Sequence, residues 1–301
     1  MSTQTTTSGP DARAEPSAAE LAARHNLSDT GARPGIGEYV RRLWHYRDFI
    51  REFAHAHATT KYAGARLGQF WHVLTPLLNA AVYYLIFGLL LGTDRGVEDF
   101  IPFLVTGVFV FTFTQSSVLR GVRAVSGNLD LIRALHFPRA ALPLAVTLTQ
   151  LRQMLMSLIV LTVVLLATGQ VPQWSWLLAA PALLLQSLFN AGLALAFARL
   201  GSAIADLAQL MPFVLRTWMY ASGVMYSIDV MAAGAPAPVH ALLDVNPTAV
   251  YIDLVRFAAI DSFTAADLPP HAWVTALVWA LVAAVGGFVY FWRAEKDYGH
   301  A

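Results

Sequence analysis

Six stretches of about twenty residues or more are almost wholly apolar: Phe70–Leu91, Ile101–Val122, Leu142–Thr168, Trp174–Ala198, Leu210–Val230 and Ala272–Trp292. A helix needs roughly 20 such residues to cross the hydrocarbon core of a bilayer, where every backbone polar group must be bonded within the protein. The chain is therefore predicted to be an all-α integral membrane protein with six transmembrane helices. Its bulk agrees: 13% of the 301 residues are charged, against about a quarter in soluble domains, and the mean hydropathy is +0.53. A net charge of +1 gives no sign of a nucleic-acid partner, and zero cysteines exclude disulfides and thiol chemistry.

Basic residues set the orientation. With both termini cytoplasmic, 17 of the 20 lysines and arginines fall inside and two, Arg95 and Arg256, outside; Arg152 lies within the third span. The expected organisation is a disordered cytosolic tail over 1–35, rich in Ser, Thr, Ala, Pro and Gly, then an amphipathic interfacial region over 36–69. A six-helix transmembrane domain over 70–293 and a cytosolic tail over 294–301 follow. In "GIGEYVRRLWHYRDFIREF", Tyr39, Leu43, Tyr46, Ile50 and Phe53 share one helical face, with Arg41, Arg42, Arg47 and Arg51 away from it. That is the pattern of a helix lying in the membrane interface; a helix packed on another protein is the alternative. Before the last span, "VHALLDV" and "NPTAVYIDLVRFAAI" are each too short to span and read as two short outer re-entrant helices. The second has Asn246 as N-cap and Pro247 at its first helical position.

Several activities are excluded or disfavoured. Neither lysine, Lys61 or Lys296, sits in the Gly-Lys-Ser/Thr setting of a phosphate-binding loop, so this sequence carries no P-loop ATPase motif. The six spans contain no acidic residue except Asp229 at an outer edge, which disfavours ion-coupled transport. His55 and His57, two apart, diverge on a helix and make a poor metal site; none is expected. The acids of the outer stretch, Asp244, Asp253, Asp261 and Asp267, leave open a membrane enzyme acting on lipid-linked sugars, beside simple solvation of an outer loop.

Between the second and third spans stands "SGNLDLIRALHFPRAALPL". Ser126 or Asn128 can cap a helix of about two turns, Asp130 suits its positive end, and Pro138 stops it. Such a helix could rest on lipid headgroups or seat in a groove of a cytosolic partner; its own residues do not choose.

The chain resembles the ABC-2-type permeases that export bacterial surface polysaccharides: O-antigen, teichoic acid, galactan. The likeness spans most of 61–293. It rests on "KYAGARLGQFWHVLTP", with Lys61, Tyr62, Leu67, Gly68, Trp71 and Pro76, and on "NLDLIRALHFPRAALPL". It rests also on "DLAQLMPFVLRTWMYASGVMYS", with Trp218, Tyr220, Ser222 and Tyr226, and on "NPTAVYIDLVR". Two departures stand out. Ala56 and His57 replace an Arg-Asp pair frequent in the family, and Gly223 stands where a proline often follows the serine of the fifth span.

The resemblance implies a permease subunit that is not itself an enzyme and holds no cofactor. A separate P-loop ATPase, in two copies, would bind ATP and Mg and drive two copies of this chain in the bacterial plasma membrane. The substrate would be a polysaccharide on a polyprenyl diphosphate, moved to the outer face; an exporter of a lipid or drug is the alternative on the same frame. Asn128, Asp130, Leu131, Arg133, Leu135, His136, Phe137, Pro138 and Arg139 would form the coupling helix. Arg41, Arg42, Arg47, Arg51, Lys61 and Arg66 could meet the diphosphate, though ordinary topology also explains them. Sugars slide along aromatic faces. Tyr83 with Phe87, Phe109 with Phe113, then Trp218 and Tyr226 are thus candidates for the path, against plain packing. Arg152 would line a pore or an interface between copies, or else snorkel. Asn246, Pro247 and Arg256 would form an outer gate.

Overall fold

The structure, a computed structural model, describes residues 35–60, 70–90, 97–135, 137–228, 236, 243–295 and 298. Among these every regular element is helical. Two helices, α1 (Ile36–His45) and α2 (Arg47–Thr60), precede the bundle. Helix α3 (Trp71–Tyr83) contains Pro76 and continues as a π-helical stretch, Tyr84–Leu90. Then come α4 (Phe100–Val122), the short α5 (Leu129–Ala134) after a 3₁₀ turn at Ser126–Asn128, and α6 (Ala141–Ala167). A 3₁₀ turn at Trp174–Leu178 leads into α7 (Ala179–Ala203), followed by α8 (Leu207–Tyr220), α9 (Pro247–Ala259) and α10 (Ala272–Arg293).

Five segments are long and apolar enough to cross a membrane: Val73–Leu90, Phe100–Gly121, Ala141–Ala167, Trp174–Ala203 and Ala272–Arg293. The expected fifth span, Leu210–Val230, differs. Its continuous helix, α8, has 14 residues, about 21 Å at 1.5 Å each, and ends in a turn at Ala221–Tyr226. Gly223 there has φ +60°, a left-handed conformation closed to proline, whose ring fixes φ near −65°. The proline frequent in the resembled family could not adopt this conformation, and the glycine here does. Of the two expected outer helices, the second is α9; the first lies outside the described residues apart from Leu243–Val245.

Helix α4 is the centre of the bundle. Some 78% of its span is buried inside the protein, against 22–39% for the other four. Helices α3, α6, α7, α8 and α9 surround it. Helix α9 is buried on nearly all sides, with Tyr251, Ile252 and Leu254 fully enclosed. Small residues let helices approach where no hydrophobic gain over lipid is available. Gly121 lies against the Ala194 backbone of α7, and a Cβ on Gly192 or Gly287 would collide with the facing backbone of α10 or α7. The outward sides of α6 (Ile159, Val163) and α10 (Val278, Val285) are apolar and exposed, as lipid contact requires.

Candidate functional site

An open cleft of about 580 Å³ lies between the start of α3, the second half of α4 and the middle of α6. Trp71, Thr75 and Pro76 form one wall; Phe109, Thr112, Phe113, Ser116 and Arg120 another; Gln150, Gln153, Met154 and Ser157 the third. Gln150, Gln153 and Ser157, at i, i+3 and i+7, share one face of α6. The Thr75 hydroxyl donates to the Trp71 carbonyl (2.8 Å) and that of Thr112 to the Val108 carbonyl (2.6 Å). Their lone pairs are left to the cleft as acceptors. The side-chain nitrogens of Gln150 and Gln153 are buried and have no hydrogen-bond partner among the described residues, a condition that costs about 1–3 kcal/mol per group.

The path candidates separate. Phe109 and Phe113 both reach this cleft, although they are 2% and 3% exposed and lend it little surface. Tyr83 and Phe87 pack on the main core instead, the Tyr83 hydroxyl 3.9 Å from the Met219 sulfur. Arg152 is half-buried on another face of α6 and forms no ion pair among the described residues; its neighbours Gln150 and Gln153 enter the cleft in its place.

The other end of the bundle joins the remaining candidates. The Asn246 side chain accepts from Thr248 N (3.2 Å), as the expected cap does, with Pro247 at the first helical position. It also accepts from Trp218 Nε1 (3.0 Å) and donates to the Ala221 carbonyl (2.9 Å), fastening α9 to the end of α8. The Tyr226 hydroxyl donates to the Tyr220 carbonyl within the same turn. Arg256, placed outside by the sequence, is 2% exposed. Its guanidinium donates to the carbonyls of Phe103 (3.2 Å), Gly223 (3.0 Å) and Val224 (3.1 Å), pairs with Asp253 at 3.0 Å and covers the Phe103 ring. It staples three elements together, beside a cavity that Asp99, Asp244 and Asp253 also line. Two further acids of that stretch are likewise engaged: Asp261 accepts from Val171 N and Gln173, and Asp267 from Thr264.

At the end where α1 and α10 meet, the expected amphipathic face docks on the same chain. Tyr39 is 2% exposed and packs on Phe288; Leu43 and Phe53 are half-buried, Phe49 meets Phe137 at 5.0 Å, and Thr149 donates to the Ala54 carbonyl. A second stripe, Ile36, Val40 and Trp44, is exposed. The arginines are exposed but mostly paired: Arg42 with Glu38 at 2.6 Å, Arg47 and Arg51 with Asp48 at 4.0 and 3.4 Å. Lys61 and Arg66 lie outside the described residues.

Helix α5 is one and a half turns rather than two, and no side chain caps it; Asn128 donates back to the Ala124 carbonyl. It stops at Ala134, before Pro138, because Leu135 is already extended. Ile132 is buried and Leu131 half-buried, while Asp130, Arg133 and Leu135 face outward; His136 lies outside the described residues. The loop beyond is braced. Glu295 accepts from Arg139 N (3.1 Å) and from the Tyr39 hydroxyl (2.8 Å), that oxygen accepts from Ala140 N (3.1 Å), and the Arg139 guanidinium donates to the Glu295 carbonyl. Burial lifts the Glu295 carboxyl above its ordinary 4.5, against the bonds from Arg139 and Tyr39.

A bundle with five segments long and apolar enough to cross a membrane marks a multi-pass membrane protein. The ABC-2 type transporter family matches residues 55–259, about two thirds of the chain, and the protein belongs to that family. Among curated relatives it is similar to the O-antigen export system permease protein RfbA of Myxococcus xanthus, 29% identical over 190 residues, which are 63% of this chain and 72% of the relative. The protein of the same name from Klebsiella pneumoniae is 27% identical over 193 residues, 64% of this chain and 72% of the relative.

Proposed function

We propose that this chain is the permease subunit of an ATP-driven exporter of surface polysaccharide of the O-antigen kind, the chains travelling on a polyprenyl diphosphate. Family membership and the names of the relatives support polysaccharide export. The observation that carries the reading to this chain is the cleft between α3, α4 and α6, which sets the accessible Trp71 ring near unpartnered amides inside an apolar bundle. A separate ATPase, two copies of it on two copies of this chain, supplies the energy. Both termini are cytoplasmic in the plasma membrane, so the outward-facing residues of α5 (Asp130, Arg133) and the following Leu135 meet that subunit. Arg41 and its neighbours sit at headgroup level, where weak surface ion pairs are readily exchanged for a diphosphate. Galactan and teichoic acid belong to the same substrate chemistry and would use the same route.

The test is a deletion of the gene. Surface polysaccharide is expected to vanish while lipid-linked chains accumulate inside, and the wild-type chain is expected to restore export. Unchanged surface polysaccharide in the deletion strain would overturn the reading.

A further inference from the structure

We infer that the cleft between α3, α4 and α6 is a sugar-binding subsite, in which Gln150 and Gln153 donate to the oxygens of one ring and Trp71 offers its face to that ring; this rests on the export reading above.

The argument is one of matching chemistry. Two buried amide nitrogens without acceptors stand beside each other on α6. Across the cleft, Thr75 and Thr112 have committed their protons to their own helices and can only accept. A ligand that satisfies both walls must donate and accept at close intervals, as vicinal hydroxyls do. Trp71, 36% exposed, is the most accessible ring at the site. The apolar face of a sugar stacks on such a ring, and a lipid tail would leave the amides as they are. Arg120, the charged residue among the described lining, sits at the end of α4 towards α5. It places the anionic link of the carrier at that end of the cleft and the first sugar farther in.

Gln150 and Gln153 are thus kept at the expense of stability, which separates this role from a structural one. In the double variant Gln150→Leu/Gln153→Leu, folding stability in detergent is expected to hold or to rise by a few degrees. Export in the complemented deletion strain is expected to fall at least about tenfold. A double variant that exports as well as wild type would overturn the inference and leave the export reading standing. A wild-type chain that leaves surface polysaccharide as low as the deletion would sink both.

Should the double variant fold poorly, the absence of cysteine supplies the second measurement. Gln153→Cys and, on the opposite wall, Ser116→Cys each give a single thiol to label with a maleimide in inverted membrane vesicles. Labelling is expected in vesicles from cells lacking the glycosyltransferase that begins the glycan, with protection of at least fivefold in vesicles from cells that make it. Equal labelling in both, or crosslinking between two copies through these positions in both, would overturn the inference.

Discussion

Two residues show how polar groups hold this membrane protein together. Arg256 satisfies three carbonyls from two other elements and neutralises Asp253 on its own helix. Removing one partner of a buried, bonded charge costs about 3–5 kcal/mol, so Arg256→Met is expected to lower the midpoint of thermal unfolding in detergent sharply. Arg256→Lys recovers little, because an ammonium does not present a planar fork to three carbonyls. Glu295 gives a pH dependence. Its folded carboxyl holds a proton more tightly than an unfolded one, so its contribution to docking is most favourable below its ordinary value of 4.5 and weakens as pH rises through the raised folded value. Hydrogen exchange of α1 is expected to quicken over that window beyond the intrinsic rate, and Glu295→Gln is expected to remove the extra slope. The residue scale is also where the sequence misleads. A charge within a span draws attention to Arg152, but at 100° per residue the adjacent Gln153 and Gln150 point elsewhere, into the cleft. The spacing Gln150, Gln153, Ser157 was the available signal.

Among the elements, long helices were legible because lipid demands continuous apolar length, and the Asn246–Pro247 start of α9 because capping chemistry is local. The partners were not legible. Tyr39, Leu43 and Phe53 form the expected apolar face, yet periodicity says only that something apolar covers it, and here that is α6 and the end of α10. The shortened α8 escaped hydropathy for a related reason. Its residues are apolar enough throughout, and the break is a backbone event at Gly223, invisible to a sum over side chains. The α7–α10 pair depends on backbone approach at Gly192 and Gly287. Gly192→Leu is expected to force these helices apart, with loss of monodisperse protein on size-exclusion chromatography. Gly286→Leu, which meets nothing within 4 Å, is expected to behave as wild type.

For the whole molecule, the proposed drive enters through α5 and leaves through the bundle. A single cysteine at Leu135, 51% exposed, is expected to form a short thiol-to-amine crosslink with a P-loop ATPase in native membranes, whereas one at Ile132, 8% exposed, is not. An active Leu135→Cys protein without such an adduct would remove α5 from the drive. Braces from Phe49 and Glu295 to the loop after α5 mean that force applied there reaches α2 and α10 together, rather than α6 alone.

Helix α9 imposes an order on assembly. Its 13 residues cover about 20 Å, too little to rest across a bilayer alone, and it carries a guanidinium that lipid does not tolerate unpaired. The slot it fills is walled by α4, α7 and α10, and α10 is made after it. Nascent α9 therefore waits outside the hydrocarbon until its neighbours have inserted, and then enters with Arg256 to close the bundle. A late, post-insertional step is therefore expected in maturation, and in chains stalled before α10 emerges α9 is expected to be open to added protease, which it is not in the finished protein.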